Sequence, residues 1–407
     1  MVATSSADLS SLVKSAALIQ PELVALRRAV HEEPEIGLDL PLTQAKVLAA
    51  LEGLGLEVSV GEKLSSVTAV LRGGRPGPAV LLRGDMDALP VQETSGLPFA
   101  SRIPGAMHAC GHDLHVAGLV GAAKLLVERR EELAGSVVLM FQPGEEGCGG
   151  AKVMIDEGLL DAAGERVVAA YGLHVTSGLL PGGVVSGRPG AAMAAADTLH
   201  VTLRGRGGHG SAPHAALDPI PALCEAVTAL QTMVTRRFDA FDPVVVTVGH
   251  IHGGTINNVI PDDATFEATI RTFSAEARAR AEEETLRVVR GVAAAHGLEI
   301  DARYERLYPV TRNDETEAEF TSRTVRSLFG EDRFQPMAQP LAGAEDFSYV
   351  CEAVPSAYFF LGACAPDRDP ATAPYNHSPE AYFDDAVLAD GAALLAALAL
   401  GRLARGR

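Results

Sequence analysis

Four short apolar runs in the first 190 residues, VTAVL at 67–71, AVLLRG at 79–84, SVVLMF at 136–141 and VVAAYGLH at 167–174, constrain this chain more than any other feature. Each is short for a core helix and lacks the polar alternation of a half-solvated strand, so each reads as a strand buried on both faces. Helical stretches lie between and around them, among them 21–32, entered at Pro21 and closed before Pro34, and 113–128. That alternation predicts an α/β layer domain with a mixed, largely parallel sheet. Every run also ends in a polar cluster. Ligands of open α/β sheets bind beyond the carboxyl ends of the strands, so the chemistry is expected there.

From about residue 197 the pattern changes to strand TLHVTLRG, helix 217–236, strands 243–251 and 264–273, helix 275–296 and strand 298–304. This βαββαβ order predicts a ferredoxin-like domain. The earlier alternation resumes after it and ends in a helix at 383–405, so the second domain interrupts the first. The expected division is 1–195 and 307–407 for the α/β domain and 196–306 for the insert; a chain of 407 residues is long enough for both. The apolar stretch 392–400 falls short of the roughly 18 residues of a membrane span and reads as a core helix. A formal charge of −18 argues against nucleic acid or an anionic membrane as partner. The N-terminal MVATSSADLS has neither the basic nor the apolar part of a signal peptide. Five cysteines without a CxxC pair suit a reducing cytoplasm rather than a disulfide framework, with Cys224 and Cys351 expected as inert core residues. Gly205, Gly207 and Gly210 have dinucleotide-loop spacing, but no strand ending in an acid follows at the required distance.

The segment GAMHACGHDLHVAG, at 105–118, sets Cys110, His112 and His115 just before a helix. Residues two apart in an extended loop point the same way, so the Cys110 thiolate and the His112 imidazole can converge on one cation. In FQPGEEG an apolar strand runs directly into Glu145 and Glu146. Neighbouring carboxylates behind a buried strand raise one another's pKa, a cost that a metal ion removes. Their side chains diverge, so one can bind metal while the other faces a water as general base. His174 at the end of VVAAYGLH and His377 in YNHSPE supply further imidazoles. Thiolate, imidazole and carboxylate together suit Zn²⁺, with Mn²⁺ or Co²⁺ also fitting. Asp85 and Asp87 follow AVLLRG. Asp87 is expected to hold a ligand histidine by its outer nitrogen, and Asp85 is open between that role and direct ligation.

These motifs, with RRAVHEEPEIGLDLPLT at 27–43, GGHGSAPH, INNVIPD, GAEDFS and NHSPE, resemble those of the M20 metallopeptidases, in order and over nearly the whole chain. Within that family they resemble the amidohydrolase subgroup of aminoacylases, hippurate hydrolases and auxin-conjugate hydrolases. The resemblance implies a binuclear hydrolase that releases a carboxylic acid and a free amino acid from small N-acyl-amino acids. It implies Cys110 as the bridging ligand, His112 and His174 on one ion, Glu146 and His377 on the other, and Glu145 as general base. Most of the family bridges with an aspartate and takes a histidine ligand at the position of Asp85, so this sequence departs from the wider family and matches the subgroup. The resemblance also makes the insert a lid and dimerisation domain of a homodimer or homotetramer. In it, His209 would reach the scissile carbonyl oxygen in its own or the partner subunit, and Asn258 and Arg271 would bind polar substrate atoms. An imidazole can donate to a developing oxyanion, and a guanidinium can grip a carboxylate with two hydrogen bonds. A dipeptidase or a deacetylase of an N-acetylated intermediate would use the same scaffold. A non-catalytic metal-binding protein would have no use for Glu145.

Overall fold

The computed structural model describes residues 6–406. In chain order its main helices and strands are α1 (Ser6–His31), α2 (Pro41–Leu51), β1 (Glu57–Val60), β2 (Val67–Arg72), β3 (Arg75–Asp85), α3 (His112–Glu128), β4 (Ala134–Gln142), β5 (Val167–Pro181) and β6 (Val185–Gly187). They continue with β7 (Ala195–Arg204), α4 (Pro219–Arg237), β8 (Val245–Gly253), β9 (Asp263–Thr272), α5 (Ala275–Ala295), β10 (Glu299–Tyr308), α6 (Glu315–Phe329), β11 (Phe334–Pro336), β12 (Ser356–Cys364) and α7 (Leu388–Leu403).

Contacts divide the chain into two compact units. The first runs to Ala192 and resumes at Arg312–Gln339 and from Asp346 onward; the second is Met193–Thr311 with the short return Pro340–Glu345.

The first unit is built on an eight-stranded sheet in the order β1-β2-β4-β3-β5-β12-β6-β11. Its centre, β4-β3-β5-β12, is parallel, and antiparallel pairs join β1, β2 and β6 to it. Strands that run between helices must bury both faces, and β12 accordingly buries every residue of SAYFFLGAC. Alternate residues Val80 and Leu82, Val137, Leu139 and Phe141, and Ala169 and Tyr171 share one core with α1, α3 and α7. The stretch Asp385–Leu403 is, among the described residues, the one long and apolar enough to cross a membrane, and it lies largely buried in this core.

Two expectations are corrected here. The helix expected at 21–32 starts at Ser6 and carries Pro21 inside it. Proline forfeits one helical hydrogen bond, but Leu12 and Ala16 before it and Leu23 and Val30 after it are buried in the same core, and that burial keeps the helix going through it. The strand expected to end at His174 continues to Pro181 because β12 keeps pairing with it as far as Cys364. Its other neighbour stops earlier: the β3–β5 ladder ends at Arg83 opposite Gly172. His174 therefore stands just past the point where the sheet opens on one side.

The second unit contains a four-stranded antiparallel sheet, β8-β9-β7-β10, with α4 and α5 against it around Leu199, Val201, Phe266 and Ile270. The element order is βαββαβ. Cys224 is exposed and Cys351 half-buried, which corrects their expected place in the core. On α4 the inward positions are Ala222, Leu223, Ala226, Leu230 and Met233, and one step of about 100° beyond Leu223 turns Cys224 outward.

Candidate metal centre

The site lies where the parallel strands end, and two glycines shape its loops. Gly111, between Cys110 and His112, caps α3 with φ +82; a Cβ there would sit 2.5 Å from Val175 Cγ2 and 2.9 Å from Phe383 Cε1. Gly144, before the paired glutamates, has φ +72, and a Cβ would meet Leu38 Cδ2 at 2.3 Å. Only glycine satisfies both the backbone and the space at such positions. The turn it opens is clamped by Asp87, whose two carboxylate oxygens accept from the backbone N–H groups of Glu145 and Glu146, each at 3.0 Å.

Hydrogen bonds to main-chain carbonyls fix the ligand faces of two histidines. A carbonyl can only accept, so His112 Nδ1 donates to Asp87 O at 2.8 Å and His174 Nδ1 donates to Val175 O at 2.7 Å. His174 therefore presents an Nε2 lone pair, and His112 presents one once a cation displaces the proton there. Asp87 holds His112 mainly by this carbonyl, with its carboxylate 3.5 Å away. His174 Nε2 stands 3.4 Å from Cys110 Sγ. From the other side, His377 Nε2 lies 3.3 Å from the same sulfur and 3.2 Å from Glu146 Oε1.

The result is two groups of potential ligands that share one sulfur: Cys110, His112 and His174, and Cys110, Glu146 and His377, with the ligand atoms of each group within 4.8 Å of one another. Glu145 joins a third such group with His112 and Glu146. A cation fits this set. His112 Nε2 and Glu146 Oε1 are buried without an aligned hydrogen bond, and the donors combine thiolate, imidazole and carboxylate.

The electrostatics agree. Burial disfavours charge on His112, but Asp85, Asp87 and Cys110 outweigh it and raise its pKa well above 6.5. The Cys110 sulfur and the Glu146 carboxylate, both beside its Nε2, push His377 up to about 10. Surroundings that bind a proton this tightly also favour a metal ion in its place. Burial, with His115 nearby, lowers His174 well below the usual value, so it stays the neutral base that ligation requires.

His115 and Asp85 form a further candidate group with His112, but both His115 nitrogens are engaged. Its Nε2 accepts from the Val175 N–H at 2.8 Å, and its Nδ1 contacts Asp85. Asp85 is also ion-paired to Arg83 at 2.8 Å and lies 3.2 Å from His112 Nε2. Burial works against its charge, yet Arg83, His112 and His115 outweigh that and keep its carboxyl well below the usual range.

The structure thus brings together Cys110, His112, Glu145, Glu146, His174, His377 and Asp87. The remaining predicted residues belong to the second unit. His209 is exposed, and its Nδ1 accepts from Ser211 N–H at 3.1 Å, which leaves the proton on Nε2. Asn258 lies beside it, its carbonyl accepting from Gly210 N–H at 2.8 Å. Arg271 is half-buried on β9, opposite Ala196 and Val245, and burial lowers its pKa. Sequence reasoning passed over Asn376, whose amide reaches both Cys110 and Val175. Its signal was its place next to His377.

The model of peptidase family M20/M25/M40 matches residues 81–401. Thermostable carboxypeptidase 2 of Saccharolobus solfataricus is 38% identical over 384 residues, covering 94% of this chain and 95% of its own. The hippurate hydrolase of Campylobacter jejuni is 37% identical over 385 residues, covering 94% and 97%. A solved structure from Bacillus subtilis, described as a dinuclear metal-binding M20 peptidase, matches with a TM-score of 0.82 at 32% identity, covering 95% of this chain and 99% of that one. Two ligand groups sharing Cys110, on a scaffold whose match to the family model spans residues 81–401, lead to one assignment: the chain belongs to peptidase family M20/M25/M40.

Proposed function

We propose that this chain hydrolyses the amide bond of N-acyl-amino acids, releasing a carboxylic acid and a free amino acid. The observation that carries the proposal is the sharing of Cys110 Sγ by two ligand groups with Glu145 beside them. Cys110, His112 and His174 would hold one divalent ion and Cys110, Glu146 and His377 the other, with Zn²⁺ the first choice and Mn²⁺ or Co²⁺ next. When bound, such ions supply Lewis acidity to the amide carbonyl and acidify a water molecule.

The chain's own residues account for the proton movements. Glu145 takes the proton from the attacking water and delivers it to the leaving nitrogen. His209, with its proton on Nε2, donates to the developing oxyanion, and Asn258 and Arg271 take polar substrate atoms, Arg271 the carboxylate. An acyl–NH–CHR–COO⁻ unit is common to hippurate and to the C-terminus of a peptide. The relative named a carboxypeptidase therefore favours short peptides as a second substrate class, alongside deacetylation of N-acetylated intermediates. A reduced thiolate at the centre suits the cytoplasm, and we assign the working form as a homodimer or homotetramer assembled through the second unit.

The test is hydrolysis of N-acyl-amino acids with aromatic, aliphatic and short acyl groups, and of dipeptides, after loading with Zn²⁺, Mn²⁺ or Co²⁺. Glu145→Gln should keep the wild-type metal content and lose about 10²–10⁴-fold in kcat. Metal binding without hydrolysis of any of these amides would overturn the proposal; retained turnover in the variant would remove Glu145 from its role.

A further inference from the structure

Asn376 is not a ligand in either group, yet it touches the segments that carry three of the ligands. Its Nδ2 donates to Val175 O at 3.1 Å and faces Cys110 O at 3.3 Å and Cys110 Sγ at 3.7 Å. Its Oδ1 accepts from the Ser177 N–H at 3.0 Å. A backbone N–H cannot accept, so that bond fixes which end of the amide is nitrogen and turns the two Nδ2 hydrogens toward Cys110 and Val175. Val175 O is the acceptor that also orients His174. The next residue, His377, is held at φ +73 with its N–H on Ala109 O at 2.8 Å, so the Asn376–His377 pair grips the Cys110 loop from two directions.

We propose that Asn376 is a positioning residue for the shared thiolate. It locks the Cys110 loop to β5 and gives the sulfur an N–H partner, setting both its direction and its electron density. A sulfur between two cations must aim a lone pair at each, and a hydrogen bond from one side restrains its rotation while drawing charge from it. Outer partners of this kind alter metal affinity by about 10- to 100-fold when removed. The inference rests on the binuclear reading above, in which Cys110 bridges.

The test is titration of the metal-free full-length chain with Co²⁺, following the thiolate-to-cobalt charge-transfer band and the dissociation constants of both ions. Asn376→Ala should weaken the more loosely held ion by about 10- to 100-fold and move the band to lower energy, because a thiolate without its N–H donor gives up an electron more easily. Asn376→Asp keeps the volume and the Ser177 bond but loses the donors, so the same band shift is expected there should the alanine variant not fold. Wild-type binding constants and band energy in both Asn376 variants would overturn the inference. A wild-type chain that shows no charge-transfer band, or binds fewer than two ions, would instead defeat the binuclear reading itself.

Discussion

His112, His174 and His31 are all buried, yet they differ in proton state because each is decided by what its two nitrogens face. His174 has a carbonyl on one side and stays neutral; His112 has a carbonyl on one side and Asp85 on the other and is charged while no metal is bound. His31, on α1, lies between two carboxylates, with Nδ1 2.8 Å from Asp113 and Nε2 3.3 Å from Glu93. Burial opposes its charge, but Asp113 and Glu93 outweigh burial and raise its pKa above 6.5. A raised histidine stabilises the fold fully below its unfolded value and stops doing so as pH climbs through its folded value. The metal-free chain should therefore lose stability from about pH 6.5 upward. His112 and His377 contribute in the same direction, so the comparison is with His31→Gln, whose urea midpoint should fall less steeply between pH 6 and 9. Equal slopes would show that His31 carries no linked charge. Much of the centre was legible at this scale, because Cys110 and His377 are rare types and Glu146 closely follows a buried apolar strand. Asp85 and Asn376 were not. An aspartate's meaning here depends on Arg83 and His115, and Asn376 gains its role from Val175, some 200 positions earlier in the chain, a distance that local pattern does not cross.

At the scale of elements, the buried strands were readable because both faces are apolar, and α3 because it begins directly after the ligand loop. What pattern could not show was where pairing stops. β5 outlasts VVAAYGLH because β12 continues beside it, and α1 passes through Pro21 because the core holds residues on both sides. Those are properties of neighbours, not of the segment. The junction of loop and helix at Gly111 makes a sharp case, since φ +82 and a Cβ 2.5 Å from Val175 Cγ2 both exclude a side chain. Gly111→Ala should cost about 1–3 kcal/mol from backbone strain and overpacking. It should also displace Cys110 or His112, so the variant is expected to bind fewer than two ions. Urea unfolding and metal analysis check both, and a variant equal to wild type in each would mean that the loop yields without cost.

For the whole molecule, the consequential fact is that every proposed metal ligand belongs to one unit. Cys110, His112, Glu146, His174 and His377 all lie in the unit built on the eight-stranded sheet, while the second unit has its own core around Leu199, Phe266 and Ala281. A ligand that binds only the folded form stabilises what it binds by RT ln(1 + [L]/Kd), about 2.7 kcal/mol at a hundredfold excess over Kd. Binding free energy should therefore enter the first unit and leave the second unchanged. Calorimetry of the metal-free chain is expected to change on adding Zn²⁺ by an upward shift of one transition, at a temperature set by metal concentration. The transition of residues 193–311 should stay where it is, and that fragment, expressed alone with 340–345 omitted, should unfold at the same temperature with and without the ion. A single transition that moves as one would mean that the two cores unfold together, and Zn²⁺ stabilising the isolated fragment would place a metal site where none of the proposed ligands lies.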